Sequence, residues 1–229
     1  MKVRAVLFDA YGTLFDVHSV ALLAERLFAG QGEQLSFVWR EKQIEYTRLV
    51  TMSAAAGEHY RPFWDLTRAA LRYAAARLKL ELGSAAEEQL MNQYLQLGAF
   101  AESHGVLTEL RRRGVVTGIL SNGDPPMLAS VVQSAGFASL LQHVISVHGV
   151  RRYKTDPAAY ALGPAALGLP AREILFVSSN AWDALGATWH GYTTLWINRS
   201  GAPPEELGTP PTHTGSGLRD VLPHFPSTP

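Results

Sequence analysis

An apolar stretch from Val3 to Phe8 opens the chain and stops at Asp9, after which Gly12 and Thr13 turn the backbone away. A short apolar run of this kind predicts a parallel strand buried on both faces. The pattern then changes. No strand-like stretch returns between Leu14 and about Val115; Arg40 to Met52, Phe63 to Leu80 and Ala85 to Leu97 instead carry apolar residues at helical spacing. From Leu107 onward the two periods alternate. The reading is helix to Arg113, strand Val115 to Leu120, helix Met127 to Ala135, strand His143 to Val147 and helix Ala158 to Leu167. Strand Ile174 to Val177, helix Ala181 to His190 and strand Thr193 to Ile197 complete it. Gly114, Gly136, Gly168 and Gly191 fall at helix ends, where a left-handed residue is wanted.

Strand and helix in strict alternation predict an α/β fold, a doubly wound parallel sheet of Rossmann-like form. The helical stretch between the first strand and the rest reads as an inserted cap subdomain. Residues 1–14 and 100–229 then form the α/β core, and residues 15–99 the helical cap. The tail from Gly201 is rich in Pro, Gly and Thr and reads as an irregular edge segment. No internal repeat is visible.

Composition narrows the function classes. With 229 residues the chain can bury one substantial core plus an inserted subdomain. Its 20 Lys and Arg balance 20 Asp and Glu, which argues against nucleic-acid or membrane-surface binding driven by charge. No apolar run reaches the length of a membrane span, and Met1, Lys2 and Val3 enter a strand without a cleavable signal pattern, so a cytoplasmic location is expected. The absence of cysteine excludes disulfides, thiolate catalysis and cysteine metal sites. Asn198-Arg199-Ser200 matches a glycosylation sequon, which without a secretory signal is an accident of composition.

Candidate chemistry clusters where strands end. In open α/β sheets ligands bind beyond the carboxyl ends of the strands, so Asp9 should face a crevice as a candidate nucleophile. Ser121 and Asn122, in Leu120-Ser121-Asn122-Gly123-Asp124-Pro125, can offer hydroxyl, amide and backbone N–H donors to an anion. The plainer reading of that turn is a helix cap, Asp124 with Pro125 behind it. Arg151-Arg152-Tyr153-Lys154-Thr155-Asp156-Pro157 follows the strand ending near Val147; Arg151 and Arg152 read as solvated charges. Phe176-Val177-Ser178-Ser179-Asn180-Ala181-Trp182-Asp183 ends a further strand in small polar residues and a carboxylate.

Phe8-Asp9-Ala10-Tyr11-Gly12-Thr13-Leu14 resembles the first motif of the haloacid dehalogenase superfamily, whose aspartate attacks substrate to form an aspartyl ester or phosphate. Phosphatases of that superfamily usually carry a second aspartate two positions on, which protonates the leaving oxygen; here that position is Tyr11. They also end the later strand in Gly-Asp, with another aspartate about four residues on, to hold Mg²⁺. Here the pair is Ser178-Ser179, leaving Asp183, and a hard cation has lost a neutralising carboxylate. The run Ser-Ser-Asn-Ala-Trp-Asp is similar instead to the last motif of the L-2-haloacid dehalogenases, a metal-independent branch. Phe37-Val38-Trp39-Arg40-Glu41-Lys42-Gln43, with Glu45-Tyr46 after it, and Phe63-Trp64-Asp65-Leu66-Thr67 resemble that family's cap. The departure is at Thr155, where most relatives have Pro after the lysine.

The resemblance, running from Val3 to about Ile197, implies hydrolysis of short (S)-2-haloalkanoic acids to (R)-2-hydroxyalkanoic acids, without a metal or other cofactor. Asp9 attacks C2 opposite the halogen; Thr13 and Lys154 hold it; Ser178, Asn180 and Asp183 position the water and the ester carbonyl. Arg40 and Asn122 stabilise the halide, Ser121 meets the substrate carboxylate, and Tyr11, Tyr160, Phe63 and Trp182 lie around the pocket. A homodimer joined through the cap is a further implication. Two rival readings are a metal-dependent phosphatase, which the Ser179 replacement opposes, and a non-enzymatic descendant that binds in the cleft, which the joint presence of Asp9, Lys154, Asn180 and Asp183 opposes.

Overall fold

The computed structural model describes residues 2–53 and 58–226. Along the chain come β1 (Ala5–Phe8), α1 (His18–Leu27), α2 (Gly32–Met52), α3 (Phe63–Arg77), α4 (Ser84–Gln93) and α5 (Ser103–Arg112). There follow β2 (Val116–Ser121), α6 (Pro125–Ser134), β3 (His143–Ser146), α7 (Pro157–Leu167), β4 (Ile174–Ser178), α8 (Ala181–Trp189), β5 (Thr193–Ile197) and β6 (His213–Gly215). The strands form one α/β, Rossmann-like sheet in the order β3-β2-β1-β4-β5-β6, every neighbouring pair parallel. Strand β1 has no exposed residue and neither has β4, which is why both read as unbroken apolar runs.

Sheet order positions the site. β1 lies between β2 and β4, with Phe8 level with Ile119 on one side and Val177 on the other. The chain leaves β1 in one direction toward β2 and β3 and in the other toward β4 to β6, so a crevice opens where the order reverses. Asp9, the Ser121-Asn122 turn and the Ser178-to-Asp183 turn all begin at that end of the sheet.

Helices α1 to α4 occupy the long interval between β1 and α5 and pack on one another, α2 chiefly against α1 and α3. Three boundaries differ from the periodicity in an informative way. Helix α2 starts at Gly32, about two turns ahead of Arg40, because Glu25 of α1 accepts the Gly32 N–H at 2.8 Å and so supplies the cap. A Cβ at Gly32 would overlap the Glu25 backbone, so glycine is what lets α1 and α2 meet this closely. Helix α3 stops at Arg77, where Lys79 turns left-handed at φ 56°, and α4 stops at Gln93. The apolar pattern nevertheless continues, since Leu80 packs on the core and Tyr94 and Leu97 are buried beyond the last helical turn. Burial rather than helix geometry sustains the spacing there. The four helix-ending glycines at 114, 136, 168 and 191 all have positive φ, as expected.

The tail corrects the sequence reading. His213–Gly215 is not irregular but adds β6 in parallel to β5, Asn198 accepting the return by donating its N–H to the Gly215 carbonyl. Three residues hydrogen-bonded to an edge carry too little periodicity to be seen in sequence. Residues 227–229 of that tail and Met1 lie outside the described residues.

Candidate active site

Asp9 sits one residue beyond β1, its N–H donating to the Val177 carbonyl at 2.8 Å, so the backbone of the neighbouring strand fixes where its carboxylate leaves the sheet. Each oxygen has partners. Oδ1 accepts from Lys154 Nζ at 3.1 Å; Oδ2 accepts from the Thr13 hydroxyl at 3.0 Å and from Asn180 Nδ2 at 2.9 Å. Thr13 is held in turn by the Ser179 N–H, which donates to Oγ1 at 2.9 Å. Ser178 is fully buried and its hydroxyl accepts from the Asn180 N–H at 3.1 Å; it shapes the turn that aims Asn180 and does not line the cavity.

Lys154 bridges two carboxylates, its Nζ also donating to Asp183 Oδ2 at 2.9 Å. Burial works against its charge, but Asp183 and Asp9 outweigh burial and raise the ammonium's pKa, so it stays protonated. Burial is the largest influence on Asp183 and pushes its carboxyl up to about 6, Lys154 pulling down against it and Asp9 adding to the push. Tyr160 donates to Asp183 Oδ1 at 2.7 Å from behind, so this tyrosine, expected at the pocket, is a buried support of Asp183.

Above this layer lies a small, partly open cavity. Asp9, Tyr11, Arg40, Phe63, Ser121, Asn122, Asn180 and Trp182 line it, together with Ile44 and Thr47, which sequence reading had not singled out. Asn122 turns its carbonyl to the Lys154 N–H at 3.0 Å, which leaves the amide NH₂ as its donor for a ligand. Ser121 accepts from the Gly123 N–H at 3.1 Å and keeps its own proton to offer. Phe63 stacks on Tyr11, ring centroids 5.9 Å apart, and Trp182 lies under the Arg48 guanidinium at 5.4 Å. Burial raises the Tyr11 phenol far above its ordinary range, and its hydroxyl has no partner among the described residues. Trp64 is not part of this wall; it borders a separate hollow with Leu95, Pro126 and Met127.

Arg40 is no free surface residue. Its Nη1 donates to Gln43 Oε1 at 2.6 Å, Gln43 Nε2 donates to Thr67 Oγ1 at 2.7 Å, and Thr67 donates to the Phe63 carbonyl at 2.7 Å. Gln43 and Thr67 are completely buried, so this chain ties α2 to the first turn of α3. The charged pair also divides. Arg151 is exposed, whereas Arg152 donates through Nη1 to the Thr51 carbonyl at the end of α2 and is a contact rather than a solvated charge.

Arg199, which the sequence offered only as the middle of a sequon, is the other support that sequence reading missed. Its guanidinium donates to Ser179 Oγ at 2.6 Å, to the Gly12 and Thr13 carbonyls at 3.2 and 3.1 Å, and to Glu102 at 3.0 Å. One planar fork thus joins the loop after β1 to the loop after β4. The same donors bear on metal binding. Asn180 Nδ2 lies between Asp9 Oδ2 and the Tyr11 carbonyl, 3.4 Å away, while the Lys154 ammonium takes the facing oxygens of Asp9 and Asp183. Among the described residues no three His, Cys, Asp or Glu side chains gather as a metal site. A divalent cation would need the oxygens that N–H donors hold and would sit against an ammonium; this donor set does not fit Mg²⁺.

A family model for haloacid dehalogenase-like hydrolases matches residues 3–191. The chain is 43% identical to the (S)-2-haloacid dehalogenase of Pseudomonas sp. (strain YL) over 97% of its own length and 94% of that enzyme. Among solved structures, the L-2-haloacid dehalogenase RSc1362 superposes with a TM-score of 0.96 at 59% identity, covering 98% of this chain and 99% of that one. The Xanthobacter autotrophicus L-2-haloacid dehalogenase with chloropropionic acid covalently bound superposes at 0.87 and 36% identity, with 96% of each chain covered. The chain therefore belongs to the haloacid dehalogenase-like hydrolases, and within them to the (S)-2-haloacid dehalogenases.

Proposed function

We propose that the protein hydrolyses short (S)-2-haloalkanoic acids to (R)-2-hydroxyalkanoic acids through an ester on Asp9, without a metal. The observation that carries this is the surroundings of Asp9: an aspartate at the floor of a small cavity, paired with the Lys154 ammonium and held by N–H and O–H donors instead of a metal ion. A carboxylate offers about four lone-pair sites. Oδ2 has spent two on Thr13 and Asn180, Oδ1 one on Lys154, so Oδ1 retains a lone pair and is the attacking atom.

Attack at C2 breaks the carbon–halogen bond, and charge develops on the departing halide. Arg40 and the NH₂ of Asn122 meet that charge from the wall, and Ser121 anchors the substrate carboxylate. A halide needs no proton to leave, which suits a tyrosine at position 11. Esterification removes the Asp9 charge and leaves Lys154 paired with Asp183 alone. Asp183, pushed up to about 6, then takes a proton from water attacking the Asp9 carbonyl carbon, with Asn180 orienting the ester; the bond from that carbon to the C2 oxygen breaks, the departing alkoxide receives the proton, and Asp9 is restored as the hydroxyacid leaves. Phe63, Tyr11 and Trp182 wall the carbon side, and Thr13, Ser178 and Tyr160 act from below.

In the same reading residues 15–99 are a cap that brings Arg40 and Phe63 over a core of residues 1–14 and 100–229. Exposed Phe37, Leu49 and Met52 on α2 support a homodimer through that cap. No described helix is long and apolar enough to cross a membrane, and we assign the enzyme to the cytoplasm. The test is halide release from both enantiomers of 2-chloropropionate in excess chelator. Release from the L form alone is expected; release abolished by chelator and restored by Mg²⁺ refutes the proposal.

A further inference from the structure

Asp124 occupies the N-cap of α6 with extended backbone angles, yet its side chain makes no cap there. An N-cap carboxylate ordinarily accepts from the second or third amide of its helix, but Pro125 and Pro126 fill the first two positions and Pro126 has no N–H. The carboxylate turns to another helix. Asp124 Oδ1 accepts from the Phe63 N–H at 2.9 Å and Oδ2 from the Trp64 N–H at 2.7 Å, the first two amides of α3. Amides of a first helical turn have no acceptor within their own helix, and Pro62 at the N-cap has no side-chain oxygen to supply one. Asp124 is 5% exposed, so water competes little for the contact. His148 Nδ1, 3.4 Å from Oδ1, completes its surroundings.

The first turn of α3 carries two parts of the site at once. The Phe63 ring walls the cavity above Asp9, and the Phe63 carbonyl receives Thr67, where the chain through Gln43 to Arg40 begins. Displacing this turn moves the wall. We propose that Asp124 is a positioning residue that sets selectivity for the C2 substituent: by anchoring α3 to the end of β2 it fixes Phe63, and thereby how large an alkyl group the pocket admits. The inference rests on the dehalogenase reading above. It was invisible in sequence because the partner amides lie 61 and 60 residues away in the chain.

Hydrogen exchange on the intact protein reads the anchor without turnover. The Phe63 and Trp64 amides should exchange slowly, and roughly tenfold faster in Asp124→Ala. Asp124→Asn keeps one acceptor and sets an NH₂ against the other amide, so it should lie between them. Selectivity is the ratio of kcat/KM for 2-chlorobutanoate to that for chloroacetate, expected to shift about tenfold in Asp124→Ala. Phe63→Ala should shift it too, and the double variant should add little, since both act on one wall. Unchanged exchange overturns the anchor. Faster exchange with an unchanged ratio, or effects of the two variants that simply add, overturns the selectivity role. Should Asp124→Ala fail to fold, Asp124→Asn carries the same readouts. Unaltered protein that releases no halide from either acid overturns the dehalogenase reading, a failure the exchange measurement separates from loss of the anchor.

Discussion

Replacing Gln43 by leucine tests whether Arg40 works as a held cation. The orientation of the Gln43 amide is dictated by its neighbours: a guanidinium only donates, so Oε1 must face Arg40, and the Thr67 hydroxyl gives its hydrogen to Phe63, leaving lone pairs for Nε2. Leucine has similar volume, so little packing is lost. What disappears is one hydrogen bond to a charged group, about 1.5–3 kcal/mol, and one donor to a buried hydroxyl, about 1 kcal/mol. If Arg40 then wanders from the halide, the first quantity falls on the transition state, a loss of about 10- to 100-fold in turnover. Stability should fall by about 1–2 kcal/mol. The assay is halide release at saturating 2-chloro-, 2-bromo- and 2-iodopropionate. Chloride concentrates its charge most and depends most on donors, so the loss should be largest for chloride and smallest for iodide. Gln43→Glu, which keeps the contact but neutralises Arg40, should be slow with the same halide order. Turnover within about threefold of the unaltered enzyme, or one common loss for all three halides, would refute the idea that Gln43 acts through Arg40.

Other outcomes follow from the layer beneath the cavity. Because Asp183 must be ionised to take a proton and burial pushes it up to about 6, turnover should rise with pH through that region and plateau above it; Asp183→Asn should stop after one event and leave substrate attached to Asp9, visible as added mass on the peptide containing Asp9. Arg199→Ala should lower stability by about 2 kcal/mol and turnover with it, and Arg199→Lys should recover only part, since an ammonium cannot span the acceptors that the planar fork reaches; equal activity in all three proteins would show that the two loops need no such tie. In a single turnover with enzyme in excess in heavy-oxygen water, the product hydroxyl should be unlabelled and Asp9 should gain the label, because the C2–O bond survives ester hydrolysis. Label in the product instead would remove Asp9 as nucleophile.

The sequence by itself determined the alternation that makes a parallel sheet, the helical interval after β1, and the rule that chemistry gathers at strand ends. Asp9, Ser121, Asn122, Asn180 and Asp183 were legible because each follows an apolar run by one or a few residues, a local relation that survives without knowledge of the fold. Their companions were not. Gln43 is one polar residue on an amphipathic helix, Arg199 sits in an unremarkable tripeptide, and Asp124 looked like the cap of its own helix. Each takes its meaning from a partner on another element: Thr67 of α3 for Gln43, the loops after β1 and β4 for Arg199, the α3 amides for Asp124. The same holds for Tyr160, withdrawn from the cavity to Asp183, and for Trp64, excluded from the wall that Phe63 joins. Periodicity reports which face of an element is buried, whereas a hydrogen bond between distant elements depends on where the packed core carries them, to within a few tenths of an ångström, and only the tertiary structure decides that.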